Sequence, residues 1–248
     1  MITVQDVFEF MNGWAPLALK ESWDNDGILV DAGRPVTRVL TALDITVPVI
    51  EEARRKDCQL IVSHHPVIFR PVKAMSSGSA VFLLAQYGIS AICMHTNLDS
   101  APGGTGELLF RLLGIEVTDS FSGVGRVGQL EPTSVEALAQ RCAEVLDTPV
   151  KWVDREQPVC RPAVVTGSGG DLLQEAIAAG ADCLITGEAS HHDAVDAAQA
   201  GVGLIAAGHY GTERPIALEI ARRLTEAFPE LWVGVSETEH DPFQYRIL

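Results

Sequence analysis

The sequence lacks the features that mark membrane-spanning, disulfide-rich and nucleic-acid-binding proteins. Its longest apolar runs are a few residues long, whereas a transmembrane helix needs about 20. The five cysteines are odd in number and form no Cys-x-x-Cys pair, which argues against a disulfide framework and a zinc ribbon. Basic residues are few, with 18 Lys and Arg against 33 Asp and Glu. The resulting formal charge of −15 disfavours nucleic acid and anionic membranes as partners.

The first residues lack a basic segment, and Asp6 and Glu9 are the charged residues before Pro16. We therefore expect no secretory signal peptide, and reduced thiols in a cytoplasmic protein. Thr3 followed by Asp6, with an apolar stripe after them, instead predicts a capped amphipathic first helix.

What the sequence does contain is a recurring unit, in which a short apolar run leads into a polar or glycine-bearing turn and then a helical pattern. Continuous apolar runs separated by helices predict strands that are covered on both faces in largely parallel sheets. The predicted fold class is therefore α/β. The runs are Val39 to Leu43, Leu60 to Val62, Ile89 to Met94, Ala163 to Thr166, Cys183 to Ile185 and Val202 to Ala206.

The region from Gly123 to Pro162 departs from this unit, with alternating short runs, several prolines and one helix predicted at about Ser134 to Leu146. We place a boundary near Gly125 for this reason. It divides the chain into a first α/β lobe, residues 1–125, and a second α/β lobe, residues 126–248.

Histidines and carboxylates follow the predicted strands repeatedly. In open parallel sheets, functional groups collect beyond the carboxyl ends of the strands. A single loop histidine is usually a surface or satisfied polar group, but three strand ends that each deliver histidine or an acid favour a metal site. The side chains in question are His64, His65, His95, Asp99, His209 and Glu213.

The third of these strand ends has a distinct geometry. Gly208 to Gly211 predicts a turn, and Thr212 to Leu224 predicts a helix with a regular apolar pattern. If His209 enters that helix, positions i and i+4 share a face. The imidazole and the Glu213 carboxylate can then bind one ion.

The first strand end predicts a site for more than one ion. His64 and His65 would point to opposite faces within a strand, but just beyond its end they can diverge modestly and serve two ions about 3.5–4 Å apart. Asp99, with two oxygens, can bridge such ions. A set of histidines and carboxylates without cysteine suits zinc, iron or manganese and does not choose among them.

Other polar segments allow two interpretations each. Gly167 to Gly170 could bind a phosphate with backbone N–H groups, but a tight strand-to-helix turn needs the same glycines and is favoured, since Asp171 would repel an anion. Glu188, His191 and His192 could line the cavity, or Ser190 and Asp193 could simply begin the helix that continues through Ala198. Trp23, Asp24 and Asn25 could form a wall of the site or a polar turn.

Taken together, six segments of this chain resemble the Nif-three-like family, whose bacterial members are named GTP cyclohydrolase 1 type 2 homologues, the YbgI type. The resemblance covers nearly the whole chain in order and matches the short form of the family. The segments are Ser22 to Gly27, Ser63 to Pro66, His95 to Asp99 with Pro102 to Gly104, Gly167 to Gly170, Thr186 to Glu188 and Gly208 to Glu213.

The resemblance implies two intertwined α/β lobes with a dinuclear metal centre in the cleft between them, and residues 203–248 returning to that centre. It also implies a toroidal homo-hexamer, and it places His95 close to the metals. Tyr210 stands where some members have a second histidine, which is not a ligand position. The implied metal ligands are His64, His65, Asp99, His209 and Glu213.

These observations favour a metal-dependent hydrolase that acts on a small molecule, such as a nucleotide or a phosphoester, through two divalent ions. His95 and Glu188 are the candidates for general acid–base catalysis, because this scheme does not need them as ligands. Two alternatives stay open: a non-catalytic metal-binding regulatory or interaction scaffold that forms a ring, and a di-iron redox protein.

Overall fold

The computed structural model describes residues 1–246, in which helices and strands alternate along most of the chain. The helices are α1 (Val4–Trp14), α2 (Val47–Arg55), α3 (Ala80–Tyr87), α4 (Thr96–Ser100), α5 (Thr105–Leu112), α6 (Val135–Leu146), α7 (Leu173–Ala178), α8 (His191–Ala200), α9 (His209–Glu213) and α10 (Pro215–Ala227). The strands are β1 (Gly27–Val30), β2 (Arg38–Ala42), β3 (Leu60–Ser63), β4 (Ser90–Cys93), β5 (Glu116–Phe121), β6 (Gly125–Gln129), β7 (Lys151–Val153), β8 (Pro162–Val165), β9 (Cys183–Thr186), β10 (Gly203–Ala206) and β11 (Trp232–Val235).

The chain divides into two compact units. The first unit contains Met1–Pro102 and Ile216–His240, and the second contains Gly103–Pro215 and residues 241–246. This division differs from the boundary expected near Gly125, because β5 pairs antiparallel with β6 and so belongs to the second unit. Residues 247 and 248 of the expected second lobe lie outside the described residues.

The sheet of the first unit has the strand order β1-β4-β3-β2-β11. Strands β4, β3, β2 and β11 pair in parallel, and β1 runs antiparallel to β4 at one edge. Strands β3 and β4 are buried along their whole length, as continuous apolar runs predict. Their side chains pack with α2 and α3 into a core whose members include Leu40, Ile50, Ile61, Leu84 and Ile89.

The sheet of the second unit has the order β5-β6-β8-β9-β10-β7 and is mixed. Strands β8, β9 and β10 are parallel, whereas β5, β6 and β7 pair antiparallel, and of these β6 and β7 come from the irregular middle region. Separate apolar clusters, one built around Leu138 and Ile185 and one around Leu173 and Leu184, form its core. The predicted α/β class with largely parallel sheets is confirmed.

Local sequence signals account for several helix ends. Thr3 caps α1 in a reciprocal capping box with Asp6, as predicted. The helix expected from Thr212 begins earlier, at His209, and is divided at Arg214 because Pro215 starts α10. Among residues 1–246, every helix is too short or too polar to cross a bilayer.

Candidate metal centre

The parallel pairing of β3 and β4 determines where the histidines of the first unit lie. Ser63 at the end of β3 is in register with Cys93 at the end of β4. The residues that follow, His64 on one strand and His95 near the other, therefore leave the same edge of the sheet. His64 is completely buried, and His65 and His95 are partly buried.

The three imidazole rings of the first unit form one cluster. Their ring centroids are 5.1 Å apart for His64 and His65, 5.2 Å for His64 and His95, and 5.5 Å for His65 and His95. A nitrogen from each ring lies within 4.8 Å of a nitrogen from the others. Because His64 and His65 lie beyond the strand, the two adjacent rings lie side by side, with an angle of 37° between their planes, instead of pointing to opposite faces.

Each ring of the cluster has its Nδ1 atom on an oxygen acceptor. His64 Nδ1 lies 2.8 Å from the Met94 carbonyl, His65 Nδ1 lies 2.9 Å from Asp44, and His95 Nδ1 lies 2.9 Å from both oxygens of Asp24. Carbonyl and carboxylate oxygens only accept, so Nδ1 carries the hydrogen and the lone pair is on Nε2. Histidines that bind metals are held in this way by acceptors behind them.

Asp24 fixes the orientation of the His95 ring, a contact that the sequence did not predict. Its side chain is fully buried and also accepts hydrogen bonds from the Thr96 hydroxyl and backbone N–H. Burial opposes ionisation, but the hydrogen bonds from His95 and Thr96 outweigh it and hold the pKa of Asp24 well below its usual range. The carboxylate is therefore an anion that fixes the His95 ring.

Asp26 performs a structural role beside it. It accepts hydrogen bonds from the backbone N–H groups of His95 at 2.9 Å and Asn97 at 3.4 Å. Burial raises the pKa of Asp26, and the neighbouring charge of Asp24 raises it further. The sequence allowed the segment from Trp23 to Asn25 to be either a wall of the site or a polar turn. In the structure, Asp24 of this segment and the adjoining Asp26 support the loop that carries His95.

Asp99 is brought to the histidine cluster by the short helix α4. Its Oδ1 atom lies 3.5 Å from His64 Nε2, and its side chain is mostly buried. The cluster therefore has a carboxylate in reach of the nitrogen that carries a lone pair.

The second unit holds a separate group of ligand-type side chains around His209. His209 and Glu213 occupy the two ends of α9, so the i, i+4 spacing brings His209 Nε2 to 2.9 Å from Glu213 Oε2. Glu188, which follows β9, lies 3.5 Å from His209 Nδ1 and is half exposed. The structure thus brings together the three residues of this unit that the sequence singled out.

Gly167 closes against this pair and explains part of the glycine-rich loop. Its φ of +62° is one that L side chains rarely adopt, and a Cβ atom there would overlap the Glu213 carboxylate. The N–H groups of Gly167 and Gly169 donate to the hydroxyls of Thr212 and Thr186, and that of Gly170 donates to the Glu188 carbonyl. These donors serve the fold, which supports the interpretation of the loop as a turn.

The paired histidines on α8 belong to a helix start. Ser190 caps α8 in a capping box with Asp193, and His191 and His192 occupy its exposed first positions. This geometry supports the interpretation of both histidines as helix-start residues.

The donor chemistry of the first unit fits a divalent metal ion. Oriented imidazole nitrogens with lone pairs, beside buried carboxylates, are the ligands that zinc, iron and manganese take from proteins. A second buried group in the same unit, Asp24, Asp26 and His95, also has ligand atoms within 4.8 Å of one another. Hydrogen bonds to Thr96 and backbone N–H groups already occupy its carboxylates, so the histidine cluster is the better candidate.

Sequence reasoning did not find the acceptors behind the histidines. Asp44 is the second residue after β2 just as His65 is the second residue after β3, so the strand-end rule could have found it. The pairing of Asp24 with His95 and that of the Met94 carbonyl with His64 carried no signal, because the partners lie 71 and 30 positions apart along the chain.

Comparison with known proteins agrees with the predicted resemblance. The family model Duf34/NIF3 (NGG1p interacting factor 3) matches residues 2–242. A Clostridium acetobutylicum protein named GTP cyclohydrolase 1 type 2 homolog is 30% identical over 99% of both chains. The crystal structure of a Staphylococcus aureus hypothetical protein is similar with a TM-score of 0.90 and 28% identity over 99% of both chains. Protein ybgI, of unknown function, gives a TM-score of 0.87 and 25% identity over 96% of this chain and 99% of its own. The chain therefore belongs to the Duf34/NIF3 family.

Proposed function

We propose that this protein is a metal-dependent hydrolase that binds two divalent ions, zinc, iron or manganese, and acts on a nucleotide or a phosphoester. The carrying observation is that three clustered imidazoles have Nδ1 on acceptors, which leaves Nε2 with a lone pair. The proposed ligands are His64, His65 and Asp99 of the first unit and His209 and Glu213 of the second.

The names of related proteins support the choice of substrate. The Clostridium acetobutylicum relative carries GTP cyclohydrolase in its name, which makes a purine nucleotide the first compound to test. Bound divalent ions supply Lewis-acid catalysis to hydrolysis at phosphorus or carbon. Side chains of the protein would carry out the proton transfers.

His95 is the proposed general base and acid. Asp24 fixes the hydrogen on Nδ1, so Nε2 is the atom that takes up and returns a proton. The ring is partly exposed, which leaves Nε2 accessible to a substrate. Glu188, a half-exposed carboxylate beside His209, is the proposed second proton carrier.

The test joins metal content to turnover in the same preparation. His95→Gln should retain metal and lose most turnover on GTP and on simple phosphoesters, because the amide cannot carry the proton. His192→Gln, on the exposed start of α8, is the matched control and should behave like the parent. Absence of metal-dependent turnover on every compound, or a His95→Gln variant as active as the parent, contradicts the hydrolytic assignment.

We also propose, from the family resemblance, that the protein assembles as a homo-hexamer in the cytoplasm. The five free cysteines, four of them buried, support a reducing compartment. Light scattering should give a mass near six times 26.6 kDa. A monomer across micromolar concentrations contradicts the assembly.

A further inference from the structure

An exposed aromatic pair stands beside the histidine cluster of the first unit. Trp23 is 58% exposed and Phe69 is 48% exposed, and their ring centroids are 5.8 Å apart in an edge-to-face arrangement. The Trp23 ring also lies 6.1 Å from the His95 ring. A pair of large exposed aromatic rings next to a candidate catalytic histidine indicates a ligand-binding surface, since aromatic surface of this size is usually buried.

The pair is held in place from behind. The Asn25 side chain donates to the Ile68 carbonyl and so ties the turn of Trp23 to the loop of Phe69. Lys20 donates to the Asp24 carbonyl from the other side. Hydrogen bonds therefore fix the turn that carries Trp23 to the loop that carries Phe69. The same turn supplies the Asp24 carboxylate that orients His95.

The loop that carries Phe69 differs in charge from the whole chain. Between Asp57 and Asp99 the sequence contains no acidic residue, although the chain has 33 of them. Arg70, next to Phe69, and Lys73 are exposed, and within residues 1–246 neither side chain has an ion pair or a hydrogen bond. The loop thus carries two exposed cations within four residues of Phe69, whose ring lies against that of Trp23.

We propose that Trp23, Phe69, Arg70 and Lys73 form a binding subsite for a nucleotide, with the planar base on the aromatic rings and the phosphates on the cations. Stacking accepts any planar base, and the cations select those that carry negative charge. This inference rests on the proposed function only in taking the His95 side of the cluster as the place of reaction. It gives the substrate class as an aromatic phosphate.

The test measures ligand binding to the full chain, both as purified and after chelation. Binding is monitored by tryptophan fluorescence and by equilibrium dialysis. The probes are GTP, guanosine and tripolyphosphate, so that ring and charge are measured separately. Trp23→Leu should weaken GTP and guanosine alike by about tenfold, which is typical of the loss of one stacked base. Trp152→Leu, a similarly exposed tryptophan of the second unit, is the matched control and should bind as the parent does.

The charge half of the subsite is tested with Arg70→Gln. It should weaken GTP several-fold, flatten the salt dependence of GTP binding and leave guanosine unchanged. Arg55→Gln, an exposed cation on α2, is the control for the general effect of one lost charge.

Three results would overturn the subsite. GTP and guanosine could bind Trp23→Leu and Phe69→Leu as tightly as the parent, or tripolyphosphate could bind the chelated chain as tightly as GTP does. The variants could also change the oligomeric mass while leaving nucleotide binding intact, which would make the patch an interface between copies. Nucleotide binding that depends on Trp23, without any turnover, would support the subsite and contradict the hydrolase. Turnover that Trp23→Leu leaves unchanged would support the hydrolase and contradict the subsite.

Discussion

The candidate ligands of the two units are held in different ways. In the first unit, His64, His65 and His95 each have one ring nitrogen on an acceptor that stands behind the cluster. In the second unit, His209 has carboxylates at both nitrogens, Glu188 at 3.5 Å and Glu213 at 2.9 Å.

This difference separates rings that are oriented by acceptors behind them from a ring that contacts another candidate ligand. The rings of the first unit keep their orientation through hydrogen bonds alone, which is preorganisation for metal binding. In the second unit, His209 Nε2 and Glu213 Oε2 are 2.9 Å apart, so an ion that binds both atoms has to displace the proton between them. We therefore expect the His209–Glu213 pair to respond to ions more strongly than the first cluster does.

The largest contrast is expected when one histidine of each unit is removed. His64 is completely buried, so His64→Ala should lower both metal content and the free energy of unfolding, the latter by about 2–4 kcal/mol. The His209 side chain is 34% exposed, so His209→Ala should lower metal content with a much smaller change in stability. Urea unfolding of the chelated proteins measures this. Equal destabilisation by both substitutions would contradict the comparison.

The next contrast concerns orientation rather than ligation. Asp24→Asn keeps the shape of the support but replaces one acceptor oxygen with a donor, which favours the wrong tautomer of His95. Turnover should fall on the order of a hundredfold or more, while metal content stays constant. Asp196→Asn, an exposed carboxylate on α8, is the control. A variant that loses metal in proportion to activity would show that Asp24 serves ligation instead.

The smallest contrast concerns the frame behind the cluster. Glu52 is buried and accepts hydrogen bonds from Lys56, Ser236 and Thr238; burial opposes its ionisation, but these bonds lower its pKa from 4.5 to about 2. The segment that it holds leads to Glu239, which accepts the backbone N–H of Asp44. Glu52 thus supports the loop that orients His65.

Because its folded pKa is depressed, Glu52 stabilises the protein fully above pH 4.5 and loses that effect as the pH falls towards 2. Glu52→Gln should therefore lower the free energy of unfolding by about 1–3 kcal/mol at pH 7. The difference from the parent should shrink between pH 4.5 and 2, as measured by urea unfolding at several pH values. A difference that stays constant with pH would exclude this origin.

The sequence was informative where structure is local. The positions of His64 and His65 follow from an apolar run that ends at Ser63, and the i, i+4 spacing of His209 and Glu213 follows from helix geometry. Pro215 marks the break between α9 and α10 and could have predicted the division of the expected helix.

The rest depends on contacts between distant segments. Asp24 meets His95 only because β1 pairs with β4, and no spacing in the sequence records that pairing. The expected boundary near Gly125 differed from the observed division for a similar reason, since the β5–β6 hairpin lacks the apolar runs that marked the other strands.

The most direct test of the account is the metal content of the full chain after chelation and reloading with zinc, manganese or iron in turn, measured by elemental analysis. We expect about two ions per chain. We also expect His240→Ala, which removes an exposed ring hydrogen-bonded to the Thr238 carbonyl, to leave the content unchanged. A reloaded protein that retains well below one ion per chain would contradict the metal centre on which the proposed function depends.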